Sequence, residues 1–328
     1  MAGVNSKFSL FALPSNAHKN VLRTMLSQDL IKYSLCSKCN KDRVQTLGMR
    51  LFKLQSEIYF HIKLELFFTA ENKFSVYFFP FNDINSDFVC ITSLDTENAR
   101  DIELGNYQMS VREWIEHFMD IFSYPKFDDI AFQDNFIDIE ILADAFKNFK
   151  CDDLIYEPPD MGYFSRLIQK VFPQLEYYQI MTLDNTHFES KHKVLMQNAN
   201  TVYVSSDQLH TIGLNELLVL NIKHFHQLDS TLSNKELNRI LKMWVAGFYP
   251  RFVALNLNFK RKIDKDEILE KLSFRIMGPN ERRQFAFPKE PPIQIANDIL
   301  IKRKDGTEAA LLIHSQGTFS ILALLVFM

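Results

Sequence analysis

The sequence predicts an α/β chain (α+β overall), with a small helical head, a small antiparallel β region, a run of strand-plus-helix repeats and a C-terminal β-hairpin cap. Three observations predict it. Residues 58–68, IYFHIKLELFF, alternate with period two, which marks a half-buried antiparallel strand. A pattern apolar-x-x-apolar-x-apolar recurs from residue 127 to residue 257 at intervals of 24, 24, 24, 23 and 30 residues. Between the recurrences lie short stretches with helical periodicity.

The first fifty residues supply the helical head. Leu13-Pro14 fits an extended lead-in, because the residue before a proline is pushed out of the helical region. Ser15 or Asn16 is expected to cap a first helix whose apolar positions are Ala17, Val21, Leu22 and Met25. Ser27 is expected to cap a second, with Leu30, Ile31, Ser34 and Leu35 facing one way, and a third runs from about Ser37 to Leu47. Helices this short bury too little alone and need their own chain or a partner to cover them.

In the next region, 58–68 is read as one strand, with Ile58, Phe60, Ile62, Leu64, Leu66 and Phe68 on one face. TAENK turns the chain into a second strand carrying Phe74, Val76 and Phe78, and strand signals continue to about residue 104. The helix SVREWIEHFMDIF follows, with Val111, Trp114, Ile115, Phe118 and Phe122 inward.

The repeats begin with Phe127, Ile130, Phe132 and continue with Cys151, Leu154, Tyr156; Leu175, Tyr178, Ile180; Ala199, Val202, Val204; Ile222, Phe225, Gln227; and Phe252, Leu255, Leu257. Helices are expected at IDIEILADAFKN, YFSRLIQKVF, ESKHKVLMQN, LNELLVLN and NKELNRILKMWVAG. Self-similarity at this period is the mark of a stacked solenoid of leucine-rich-repeat-like type, although only Asn135 stands where such repeats place a buried asparagine. A doubly wound sheet or a barrel gives similar intervals and stays open. The end of the chain, DILIKRKDGTEAALLIHS and TFSILALLVF, reads as strands with Asp305-Gly306 as a hairpin signal. They are expected to cap the stack.

Composition restricts the function. The chain has 328 residues, 47% hydrophobic and 23% charged, room for two or three globular modules. With 30 Phe and 9 Gly it is neither of low complexity nor rich in phosphate-binding loops. Four cysteines make no disulfide framework, so a reducing compartment, cytoplasmic or nuclear, is expected. The start lacks the layout of a secretory signal, and the apolar run FSILALLVFM is too short to span a bilayer, so no membrane partner is expected. The net charge of -3 hides a polarity. Residues 7–53 carry nine Lys and Arg against Asp29 and Asp42, whereas residues 83–160 carry nineteen acids and five bases. Different partners for the two parts follow, unless both are solvated faces of one globule.

Two stretches resemble known families. The Leu-Pro start, NVLRTM, and DLIKYSLCSK leading into a basic third helix resemble the F-box. That resemblance implies docking on a Skp-type adaptor and, through it, a cullin, with Leu13, Pro14, Val21, Leu22, Leu30 and Leu35 forming the adaptor-facing and core surface. Asn40 stands where many F-boxes carry Trp. The stretch from Thr201 to Phe259 resembles the F-box-associated domain, type 2, of nematode F-box families. The matching pieces are Leu214-Asn215-Glu216-Leu217-Leu218, Asn221, Leu232-Ser233, Leu237-Asn238, Leu241-Lys242, Trp244, Gly247, Pro250-Arg251 and Leu255; Phe248-Tyr249 departs from the pattern. From the residues alone, Trp244 and the leucines read as core, Gly247 as a helix stop and Asn238 as a bond to a neighbouring loop.

Little reads as chemistry. Cys36-x-x-Cys39 lacks the second pair that a structural zinc site needs and the preceding strand that a thioredoxin-like site needs. No glycine-rich phosphate loop, His-Glu-x-x-His or Gly-x-Ser-x-Gly occurs. The acid pairs Asp128-Asp129 and Asp152-Asp153 are the candidates for a metal or acid/base site, set against ordinary solvent-facing acids. His224 and His226 are expected to point the same way from one strand, for packing or binding. The basic head is too aliphatic for a nucleic-acid groove.

The expected function is therefore a non-catalytic substrate receptor of a Skp–cullin–F-box type E3 ubiquitin ligase, acting in ubiquitin-dependent degradation, with no cofactor and no metal. Its modules are 1–50 (F-box), 51–125 (antiparallel region and linking helix), 126–275 (repeats, with 200–275 F-box-associated) and 276–328 (cap). The acidic half favours a client with a basic surface. An interaction scaffold of the same fold, and an α/β enzyme using the acid pairs, are the alternatives.

Overall fold

The recurrence in the sequence is the register of a parallel sheet. Leu154, Tyr178, Val202, Phe225 and Leu255 stand side by side on neighbouring strands, and Tyr156, Ile180, Val204, Gln227 and Leu257 form the next row. All ten side chains are buried. The computed structural model describes residues 12–70, 72–79, 89–93, 100–104, 109–157, 160–181, 194–196, 198–205, 212–288 and 291–327, with 89–93 and 100–104 described by backbone alone. They fall into two compact units, Met1–Ile130 with Phe136–Cys151, and Ala131–Asn135 with Asp152–Met328.

The first unit opens with α1 (Ser15–Arg23), α2 (Ser27–Leu35) and α3 (Lys38–Gln45). The expected caps differ for the first two. Pro14 and Leu26 occupy the cap positions without side-chain bonds, and Ser15 and Ser27 are the first helical residues. Ser37 does cap α3, accepting from the Asn40 amide.

An antiparallel sheet follows, β1 (Lys53–Ile58), β2 (Ile62–Phe67), β3 (Lys73–Phe78), β4 (Val89–Ser93) and β5 (Arg100–Leu104), each paired with the next. Residues 58–68 are thus not one strand. Ile58 pairs with Ile62 across a three-residue turn, Tyr59 to His61, and a turn of odd length keeps even-numbered residues on one face of both strands. The alternation in the sequence therefore runs through the turn without a break. Buried Leu54, Ile58, Ile62, Leu64, Leu66, Phe74, Val76 and Phe78 form that face.

Against the core lies α4 (Val111–Ile121), begun by a capping box of Ser110 and Glu113, which satisfies two orphan donors at once. Its Trp114, Ile115, Phe118 and the following Phe122 are buried. Then come β6 (Lys126–Phe132), next to β1 in the sheet, and α5 (Ile139–Phe146), capped by Asp138.

The second unit takes up the end of β6 and most of β7 (Lys150–Tyr156). It continues with α6 (Met161–Lys170), β8 (Tyr177–Ile180), β9 (Thr201–Val204), α7 (Leu214–Leu218), β10 (His224–Gln227), α8 (Asn234–Val245), β11 (Ala254–Phe259) and α9 (Lys265–Leu269). Most of the expected helix ESKHKVLMQN lies outside the described residues. The strands β7 to β11 run parallel in chain order.

Their backbone repeats with the sequence. Where strands begin, the amides of Asn200 and Thr201 donate to Glu176 O, those of Lys223 and His224 to Asn200 O, and those of Val253 and Ala254 to Lys223 O. Where strands end, Glu157 donates to Phe132 O, Met181 to Tyr156 O, Ser205 to Ile180 O and Leu228 to Val204 O. Burial alternates along β8, and Ile155, Gln179, Tyr203, His226 and Asn256 of the opposite row are all half-buried. A doubly wound sheet would bury both faces.

The remaining strands are β12 (Phe274–Ile276), β13 (Arg282–Phe285), β14 (Ile293–Ala296), β15 (Ile299–Lys302), β16 (Glu308–Gln316) and β17 (Phe319–Phe327). β17 pairs antiparallel with β11, and β16, β15 and β12 follow outward, so the parallel series ends in an antiparallel cap. Gly306, at φ 97°, makes the expected turn between β15 and β16. The separate β13–β14 hairpin packs Phe285 and Ile295 against Ala254, Leu300, Ala310 and Leu325. Among the described residues no helix is long and apolar enough to cross a membrane.

Candidate interaction surfaces

One tyrosine binds the three N-terminal helices together. Tyr33 Oη on α2 accepts from Arg43 Nη1 on α3 at 3.3 Å and bonds His18 Nε2 on α1 at 3.0 Å. Leu22, Leu30, Ile31, Val44 and Leu47 fill the space between them. The group is anchored to α4 by a buried Ser34–His117 bond of 2.7 Å, by Lys41–Asp120 at 2.6 Å, and by Gln45 donating to Asp120 O. Burial beside Lys41 pushes the His117 imidazole down to about 4, although Asp120 pulls the other way, so His117 is neutral at pH 7.

This packing divides the six residues of the sequence reading. Leu22 and Leu30 are buried, Leu13 and Leu35 are half-buried, and Pro14 and Val21 are exposed. Pro14, Ala17 and Val21 follow each other by three and four residues, which places them on one face of α1. Leu26, 59% exposed, extends the apolar run between α1 and α2. Sequence reasoning missed Leu26, because an apolar residue between two helices reads as core. Cys36 and Cys39 are free and exposed, and the Cys36 thiol donates to Lys32 O.

In the second unit, three residues at equivalent places, each three residues before a strand, bond to one another. Arg251 Nη1 donates to Asn198 Oδ1 at 2.6 Å and to Asn221 O at 3.1 Å, and Asn221 Nδ2 donates to Asn198 Oδ1 at 2.7 Å. This ladder stands where the parallel strands begin. Asn238 on α8 donates both amide hydrogens, to Ile268 O at 2.8 Å and to Glu270 O at 2.9 Å, fixing α9. Trp244 is fully buried. At the end of α8, Gly247 (φ 99°) donates to Trp244 O and Phe248 donates to Met243 O, the bond pair of a Schellman motif.

Beneath α8 a small apolar cavity of about 10 Å³ is lined by Leu217, Leu220, Ile240, Trp244, Tyr249 and Phe252, among others. Burial pushes the Tyr249 phenol up to about 12. On the half-buried sheet face, His224 and His226 do point the same way, and Tyr203 stacks on His226 at 5.8 Å. Burial lowers both imidazoles, with the Asn200 carbonyl opposing the effect at His224.

The first acid pair has structural partners. Asp128 accepts from the Leu54 amide and the Tyr124 hydroxyl, and Asp129 from Gln55 Nε2 and Lys53 Nζ. Asp152 and Asp153 also have interaction partners. Among the described residues no three His, Cys, Asp or Glu side chains form a metal-binding group.

No curated protein matches this chain. A family model described as F-box associated matches residues 190–257, the stretch that holds β9, α7, β10, α8, most of β11 and the Asn198–Asn221–Arg251 ladder.

Proposed function

We propose that this chain is the substrate-recognition subunit of a Skp–cullin–F-box type ubiquitin ligase, of the kind found in nematode F-box families. The F-box would be residues 1–50, followed by the antiparallel region 51–125, leucine-rich-repeat-like repeats over 126–275 and the cap 276–328. The observation that carries the reading is the exposed apolar set Pro14, Val21 and Leu26, with half-buried Ala17 beside it, in a chain whose residues 190–257 match an F-box-associated family model. Fully burying one such aliphatic side chain stabilises a complex by about 1.5–3 kcal/mol, enough for a few residues to anchor an adaptor. In this reading half-buried Leu13 and Leu35 and buried Leu22 and Leu30 would complete the adaptor-facing and core surface.

In this role the chain performs no bond chemistry. It raises the effective concentration of a client lysine near a charged ubiquitin-conjugating enzyme. The test is co-purification with a Skp-type adaptor and its loss in Val21→Asp, which alters an exposed position. Absence of any complex with the wild-type chain overturns the proposal, as does a complex that Val21→Asp leaves intact.

A further inference from the structure

The β1–β2 turn gathers rings at the surface of the first unit. Tyr59 lies 4.8 Å from Phe60 and 6.1 Å from Phe136 between ring centroids. Phe60 lies 4.6 Å from His61 and 6.5 Å from Phe79, and His61 lies 5.3 Å from Tyr77. Three of the rings are open to solvent, Tyr59 at 37%, Phe60 at 46% and Phe136 at 61%. A turn needs none of these residues, since small polar ones serve it better. Clustered exposed aromatics of this kind mark interaction sites.

The charges around the rings select the occupant. On the adjoining sheet face the lysines are already paired within the chain. Lys63 bonds Glu57 at 3.0 Å and Glu65 at 2.8 Å, Lys73 bonds Glu65 at 2.8 Å, and Lys53 bonds Asp129 at 2.9 Å. Burial and Lys63 lower the His61 imidazole, so it adds no positive charge near neutral pH. Two and four residues after Phe136 come exposed Asp138 and Glu140. The rings thus offer electron-rich faces, the local cations are held by local acids, and the chain leaving Phe136 carries exposed acids and no base before Lys147. A guanidinium or ammonium group over such faces is attracted by their quadrupole.

We propose that Tyr59, Phe60 and Phe136 form a docking patch for a client segment that presents Arg or Lys among apolar residues. This deepens the receptor reading by giving the client's chemistry and the place that holds it, outside residues 190–257. It is tested on the full chain alone, so a failure of adaptor binding leaves it standing and its own failure leaves adaptor docking untouched.

A random peptide display library is panned on the wild-type chain. The expected selection is of peptides with Arg or Lys beside an apolar residue. A synthetic selected peptide should bind roughly tenfold more weakly to Phe60→Ala and Phe136→Ala, while Phe60→Trp, the better cation–π face, keeps binding. Sedimentation checks a different occupant, a second copy of the chain. No selection, selection of acidic or uncharged peptides, equal binding by the alanine variants, or a dimer that Phe60→Ala dissociates would each overturn the proposal.

Discussion

Ser34 on α2 and His117 on α4 bond to each other at 2.7 Å, and a third group fixes the direction. The only hydroxyl proton of Ser34 goes to Ile31 O at 2.6 Å, so its oxygen accepts and His117 Nε2–H donates. The sequence positions are 83 residues apart, and the bond ties the N-terminal helices to the core of the first unit.

Burial of His117, with Lys41 nearby, makes stability depend on pH. The folded His117 titrates at about 4, against about 6.5 when unfolded. Between these values the unfolded chain binds the extra proton, so stability is full above pH 6.5 and falls as pH drops toward 4, by about 2–3 kcal/mol for this residue. His61, His224 and His226, also lowered by burial, add to the slope with the same sign. In His117→Gln the fall between pH 7 and pH 5 should be shallower in urea denaturation. An unchanged slope would mean that His117 is not the group responsible.

Asn238 gives the second prediction. Both of its amide hydrogens are used on carbonyls of the α9 segment, buried at Ile268 and part-buried at Glu270. Asn238→Ala leaves those carbonyls unpaired and should cost about 2–3 kcal/mol. Asn238→Asp should cost more, because a carboxylate would face two carbonyl oxygens. Hydrogen exchange should quicken first around residues 265–272; protection there equal to wild type would contradict this account.

Gly247 and Gly278 separate backbone strain from crowding. A Cβ would meet nothing within 4 Å at either position, but only Gly247 has positive φ, at 99°. Gly247→Ala should therefore destabilise by about 1–2 kcal/mol through the backbone alone, and Gly278→Ala should lie within about 0.5 kcal/mol of wild type. Thermal melts of the pair decide it, since equal shifts would remove the conformational explanation.

The parallel strands were legible because each repeat keeps the same two buried positions, and register turns sequence spacing directly into neighbourhood. Even Gln227, which breaks the apolar pattern, is buried in its row and donates to Ile212 O. β1 was not legible, because Ser56 stands in the middle of its buried row. The aromatic patch was hidden for another reason. Tyr59 and Phe136 lie far apart in the chain, and β6 alongside β1 precedes the loop that carries Phe136. Asn221 and Arg251 carried the family resemblance, but their partner Asn198 did not, since two asparagines and an arginine so far apart in the chain meet only once the repeats are stacked.

The ladder of Asn198, Asn221 and Arg251 yields the last prediction. One guanidinium nitrogen reaches both Asn198 Oδ1 and Asn221 O, while a second lies 3.5 Å from Asn198 O. This spread of acceptors suits a planar fork and not a point charge. Arg251→Lys should keep the charge but cost about 1 kcal/mol, and Asn198→Ala should cost a similar amount. Because both changes break the same bond, the double variant should be less destabilised than the sum, with a coupling of at least about 0.5 kcal/mol. Additivity in urea denaturation would show that the strands hold their register through the main chain alone.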